Sequence, residues 1–219
     1  MNTTPPLLLN AHFDSQKTSA LSKADLSRKG CIDEPVEELV TLLNAHPNYF
    51  TTSSCSGRVI VVQHGNEADV SSKKKGCDWL FVSHQPIELE PLWTQLMMKT
   101  DEKNVRDSAS NSWATTAFLK FEPFILHVQC RHLDAAQLLM EACTESGCRN
   151  SGMTIGGKSH KITVAVRCAL NLELPVTLDG KLVVSQEYMA TIVQLIEKKF
   201  QNNFVLIQRF VDFVRELDK

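Results

Sequence analysis

The sequence predicts an α+β fold: a mixed, largely antiparallel sheet with packed helices and a long C-terminal helix. Three observations lead there. Short β-rich runs such as "RVIVVQ" (58–63) and "DWLFVSH" (78–84) follow one another rather than alternating singly with helices, so hairpins are expected in place of a βαβ winding. No G-x-G-x-x-G joins a strand to a helix, so the chain is read as non-Rossmann. Near the end, Met189, Val193, Ile196, Phe200, Phe204, Ile207, Val211 and Val214 advance by threes and fours, the period of one amphipathic helix.

Residues 1–13 are expected to be a disordered lead-in and 14–219 one domain. The polar stretch 14–30 is helix-compatible and Gly30 would stop it. Residues 33–47 spell a clear helix. Asp33 can cap it, Glu34 and Pro35 suit its first turn, and Val36, Leu39, Val40 and Leu43 form its apolar stripe. "YFTTS" then reads as a strand, and "TTSSCSGR" (51–58) as a polar turn into the next strand at 58–63. A lysine-bearing loop precedes the strand 78–84, and a helix is expected over 86–99. After a surface loop at 100–113 come two strands, 116–123 and 124–131, separated by a proline turn.

A helix over 133–147 would bury Leu133, Ala136, Met140 and Cys143 and end at Gly147. "RNSGMTIGG" and "KITVAVRC" follow as strands. "LELPV" and a "DG" turn lead to "KLVV", and Ser185 caps the final helix. The order helix, polar turn, strand, strand recurs in the second half, which suggests an internal α-β-β duplication.

Composition narrows the functional classes. A chain of 219 residues that is 43% hydrophobic and 22% charged can bury a sizeable core. Its net charge of -2 argues against an avid coat for nucleic acid, so any RNA contact must come from a local patch. None of the 7 cysteines forms a C-x-x-C pair, and ligand spacing for a metal site is absent. The first residues lack a basic segment of the kind that opens a signal peptide. No apolar run approaches the ~20 residues that span a bilayer. Free thiols and no membrane segment point to a cytoplasmic protein.

Four polar clusters could carry chemistry. "SKADLSRKG" (22–30) offers Lys23, Arg28 and Lys29 for phosphates. "TTSSCSGR" offers Ser53, Ser54 and Ser56 hydroxyls, Gly57 for close backbone approach, and Arg58 to fork onto an anion. Cys55 within it has no adjacent activator and reads as a packed thiol. His84 ends a strand, and "KFEPFILHVQCR" gathers Lys120, Glu122, His127 and Arg131. "CRNSGMTIGG" repeats the chemistry of the second cluster with Arg149, Asn150, Ser151 and Gly152, and Arg167 stands nearby in sequence. Together they describe a polar, partly cationic cleft for a polar anionic ligand, and no particular reaction.

The ordered string "LSKADLSRKG", "TTSSCSGR", "WLFVSH", "LKFEPFILHVQCR", "SGCRNSGMTIG" and "LELPVTLDGKLVVSQEY" resembles the family of tRNA wybutosine-synthesizing protein 3 homologues over about residues 18–210. The family's D-x-S-x-K-G element falls on Asp25, Ser27, Lys29 and Gly30. Its S-S-C-x-G-R element falls on Ser53, Ser54, Cys55, Gly57 and Arg58, and its remaining elements on Lys120, Glu122, Pro123, His127 and Arg131. The lead-in, the lysines at 73–75 and the loop near Asn111 depart from the pattern.

The resemblance implies a methyltransferase dependent on S-adenosyl-L-methionine. It would methylate N(4) of the tricyclic 4-demethylwyosine-type guanosine beside the anticodon of tRNA(Phe). The anticodon stem-loop would be its partner, together with other wybutosine-pathway enzymes. Methyl transfer from a sulfonium is an in-line displacement, so alignment supplies much of the acceleration. No metal is needed. The ring N–H must lose its proton, and His84 or His127 is the expected base. Ser53, Ser54, Ser56, Gly57, Arg58, Asn150, Ser151 and Gly152 are expected to hold the methyl donor. Lys23, Asp25, Ser27, Arg28, Lys29, Lys120, Glu122, Arg131 and Arg167 are expected to meet the tRNA. The alternative from another class is a catalytically silent tRNA-binding or assembly module.

Overall fold

The computed structural model describes residues 6–22, 30–64, 77–100, 116–157 and 159–217. Helix α1 spans Pro6–Leu21, α2 Glu34–Ala45, α3 Leu89–Thr100, α4 Leu133–Ser146 and α5 Gln186–Glu216. The strands are β1 Tyr49–His64, β2 Cys77–Ser83, β3 Ala117–Cys130, β4 Gly152–Ile155, β5 Ile162–Arg167, β6 Leu172–Pro175, β7 Thr177–Leu178 and β8 Lys181–Leu182. The main sheet runs β2-β1-β3-β5-β4, with β6 also on β3, and β7 pairs β8 apart from it. The β1–β2, β3–β5, β3–β6, β4–β5 and β7–β8 pairs are all antiparallel. The expected α+β class with its long C-terminal helix is therefore the fold. The α-β-β order recurs as α2-β1-β2 and α4-β4-β5. Among the described residues no helix is long and apolar enough to cross a membrane.

Contacts divide the chain into two compact units. One comprises the segments up to Ser56, from Phe124 to Ala169 and from Phe204 on; the other comprises Gly57–Pro123 and Leu170–Asn203. The chain passes from one unit to the other inside β1, β3 and α5, and between Ala169 and Leu170.

In the first unit, α2, α4 and the end of α5 bury Leu39, Leu43, Leu139 and Phe210 against Tyr49 and Phe124. The Tyr49 hydroxyl donates to the Ala135 carbonyl at 2.8 Å, so its polar end is satisfied inside the core. Helix α1 begins at Pro6, inside the stretch expected to be a lead-in. It presses Phe13 to within 5.2 Å of the Phe50 ring. It ends at Leu21, well short of Gly30.

In the second unit, Val59, Ile60, Val61 and Val62 are all buried. A run without alternation means that this half of β1 is covered on both faces. Phe121 of β3 meets Phe200 of α5 edge-on, with ring centroids 4.9 Å apart. Asp179 and Gly180, both at positive φ, form the expected "DG" turn between β7 and β8.

Several elements differ from expectation. "TTSSCSGR" is no turn: it lies inside the single strand β1. The chain passes through without reversing because Gly57 takes φ +110, a conformation that costs glycine little. One residue earlier, the Ser56 N–H leaves the usual ladder and donates to the Asp33 carboxylate at 2.9 Å. Asp33 does stand at the α2 N-cap, but its side chain makes no capping bond. Likewise, 117–130 is one strand. Pro123 falls between the stretch paired with β6 (118–121) and that paired with β5 (125–130), where a missing N–H is tolerated. Burial changes phase there, from odd residues before it to even residues after it.

The helix stripes also rotate slightly. In α4 the buried set is Ala135, Ala136, Leu139, Ala142, Cys143 and Ser146, while Leu133 is exposed. In α5, Ile192 is buried where Val193 was expected, and Asn203 is buried inside the apolar stripe.

Candidate active site

In the first unit, His127 projects from β3 on the face opposite the core, since its neighbours Leu126 and Val128 are the buried ones. The Ser53 hydroxyl lies 2.9 Å from its Nδ1. The Thr52 hydroxyl donates to the His127 carbonyl at 3.3 Å. Across the sheet His127 is paired with Ala165, and Ala165 with Gly152. Directly opposed residues share a face, so the imidazole is flanked on that side by small residues. A Cβ added at Gly152 would meet nothing within 4 Å. Burial, and then the charge of Arg167, holds the His127 pKa below its ordinary value of 6.5. The ring is therefore neutral at neutral pH and able to accept a proton.

Arg167 is exposed at the end of β5 and forms a parallel bridge with Arg149, two cations on adjacent backbone. The Ser151 hydroxyl ties this corner together. It donates to the Cys148 carbonyl at 2.6 Å and accepts from the Arg167 N–H at 3.0 Å. Asn150 beside it is exposed. Burial pushes the thiols of Cys130 and Cys143 up to about 12, so neither is a nucleophile near neutral pH.

Arg131 lies elsewhere in the same unit and is heavily engaged. Its guanidinium pairs with Asp14, donates to the Pro47 carbonyl at 2.8 Å, and sits 4.6 Å from the Phe13 ring centroid. That set of contacts fastens α1.

In the second unit, Arg58 Nε donates to Glu122 Oε2 at 2.7 Å, and its guanidinium lies 4.7 Å from the centre of the Trp79 ring. Both charged groups keep partial exposure, 29% and 43%. Lys120 pairs with Glu173 at 2.8 Å, directly across the β3–β6 ladder. His84 is half-buried just after β2, inside a turn where the Ser83 hydroxyl donates to the Gln85 carbonyl at 2.8 Å. Gly57, the first residue of this unit along β1, is buried; Ser54, Cys55 and Ser56 before it belong to the first unit, the first two half-buried and Ser56 buried.

One unit thus brings together Ser53, His127, Ser151, Gly152 and Arg167, and the other Arg58 and Glu122. Lys23, Asp25, Ser27, Arg28 and Lys29 lie outside the described residues. Sequence reasoning did not single out Trp79. Its one visible signal was an aromatic opening the strand "DWLF", and nothing local shows which cation it will carry.

Residues 15–216 match the family model described as Methyltransferase TYW3. A mouse protein, tRNA wybutosine-synthesizing protein 3 homolog, is 41% identical over 206 residues, 94% of this chain and 74% of that protein. The human protein of the same name is 44% identical over 202 residues, 92% of this chain and 71% of that one. The solved structure of PH1069 protein from Pyrococcus horikoshii has a TM-score of 0.76 at 24% identity, covering 94% of this chain and 97% of that one. At that identity the likeness speaks for the fold, which agrees with the antiparallel, helix-packed sheet described above. A family match over nearly the whole chain shows what that sheet serves: the protein belongs to the Methyltransferase TYW3 family and is a methyltransferase.

Proposed function

We propose that this chain is a tRNA methyltransferase of wybutosine synthesis. It methylates N(4) of the 4-demethylwyosine-type guanosine beside the anticodon of tRNA(Phe), with S-adenosyl-L-methionine as donor. The observation that carries the reading is the family match over residues 15–216; the relatives' names supply the pathway.

The residues present fit such a donor. Its amino-acid end is a zwitterion, and Arg58 and Glu122 form an adjacent, partly exposed cation and carboxylate. Arg58 would hold the donor's carboxylate and Glu122 its ammonium group. When bound, the donor supplies an electrophilic methyl whose C–S electron pair leaves with sulfur as a neutral thioether.

The remaining work falls to the protein. The acceptor nitrogen must give up its proton as the new N–C bond forms, and His127 takes that proton. Three features favour it: a neutral ring, a hydroxyl fixing one nitrogen, and small neighbours at Ala165 and Gly152. Arg149 and Arg167 would hold phosphates of the anticodon loop.

Mass analysis of tRNA(Phe) from cells lacking the protein tests the reading. The expected result is accumulation of the wybutosine precursor lacking one methyl group. Normal wybutosine in those cells would contradict it.

A further inference from the structure

The Ser53 hydroxyl bonds to an atom that can report what it is for. Among the described residues, Ser53 is the side-chain hydrogen-bond partner of the His127 ring, at 2.9 Å from Nδ1, and the ring is the partner of Ser53. The other contact at this point, from the Thr52 hydroxyl, goes to the His127 backbone and fixes the strand rather than the imidazole. Across β5 and β4 the ring's neighbours are Ala165 and Gly152, which carry no polar side-chain atom. A neutral imidazole has one donor and one acceptor nitrogen, and the bond made by one nitrogen sets the role of the other. Ser53 Oγ can accept from Nδ1–H and leave the lone pair on Nε2. If it instead donated to Nδ1, Nε2 would carry the hydrogen and have no lone pair to offer the proton of the acceptor nitrogen.

We propose that Ser53 is a positioning residue: its Oγ accepts from His127 Nδ1–H and thereby presents the Nε2 lone pair as the base for methyl transfer. This rests on the reading of His127 as the base, and it gives Ser53 a role other than contact with the methyl donor. Loss of a partner that orients a metal-bound imidazole costs about 10- to 100-fold in activity, and a loss of the same order is expected for this imidazole.

The test combines kinetics with a readout independent of turnover. Nitrogen-15 NMR of His127 in the intact protein should show a protonated Nδ1 and an unprotonated Nε2, and Ser53→Ala should move the hydrogen to Nε2. Ser53→Ala should lower kcat roughly 10- to 100-fold with KM for tRNA and donor unchanged, and Ser53→Thr should restore most of it. A wild-type ring protonated at Nε2 would overturn the proposal. So would a Ser53→Ala enzyme with full kcat and a raised KM for the donor, because Ser53 would then be a donor contact. Full activity in His127→Ala would remove the base assignment instead, while the NMR result would still decide whether Ser53 sets the tautomer.

Discussion

His127, the proposed base, is the residue whose replacement should speak most directly to the reaction. Removing it by His127→Ala should lower kcat by about 10²- to 10⁴-fold, the usual worth of a general base, with little change in tRNA affinity. His84→Ala should leave kcat near that of the wild type; the opposite ranking of the two variants would exchange their roles. The pH profile carries a further signature. A base works only when unprotonated, and the fold holds this pKa below 6.5, so activity should stay level near neutrality and fall only as pH drops through that lower value. Arg167→Ala removes a repelling charge, so the pKa should rise and the acidic limb should shift to higher pH. A shift in the other direction would contradict the electrostatics.

Arg58 gives a second residue-scale test. An exposed Arg–Glu pair contributes only about 0–1 kcal/mol to stability, so Arg58→Ala should barely move the melting temperature. It should still raise KM for the methyl donor at least tenfold, about 1.4 kcal/mol of lost binding. An unchanged KM would remove Arg58 from the donor site.

At the scale of elements, the two long strands carry Ser53, Arg58, Glu122 and His127 of the candidate site, and each runs through a residue that the sequence reads as a break, Gly57 in β1 and Pro123 in β3. Gly57→Ala should destabilise the protein by about 1–3 kcal/mol, because φ +110 is strained for any residue with a Cβ. Thermal unfolding would read that as a loss of several degrees. Equal stability would mean that β1 can pass this point in another conformation.

These strands also show how far the sequence could be read. Residues 33–47 and 133–147 announced their helices through periodicity and end signals, and the final helix did so most plainly. β1 did not, because "TTSSCSG" has the composition of a turn. What keeps it extended is an Asp33 carboxylate distant in sequence and a glycine conformation that leaves no local trace. β3 looked like two strands for a similar reason: Pro123 reads as a break until one sees that it falls between the stretch paired with β6 and the stretch paired with β5, where the N–H that proline lacks is not missed. The site residues were legible as types rather than as pairs. His127 and Arg58 stood out, but Ser53 on His127 and Glu122 on Arg58 are contacts across 74 and 64 residues that no local pattern encodes.

For the molecule as a whole, a net charge of -2 means that tRNA must be held by a few placed cations rather than by a general field. Arg149→Ala and Arg167→Ala should each reduce the slope of log Kd against log salt by about 1. No change in slope for either would place the phosphate contacts elsewhere on the protein. The central claim, methyl transfer to a wybutosine precursor, is tested most directly by reconstitution. Purified protein should be incubated with S-adenosyl-L-methionine and tRNA(Phe) from cells lacking the enzyme, and the modified nucleoside then weighed by mass spectrometry. The expected product is heavier by one methyl group at N(4), formed by the wild type and nearly absent with His127→Ala. An unchanged nucleoside with the wild-type protein would contradict the account.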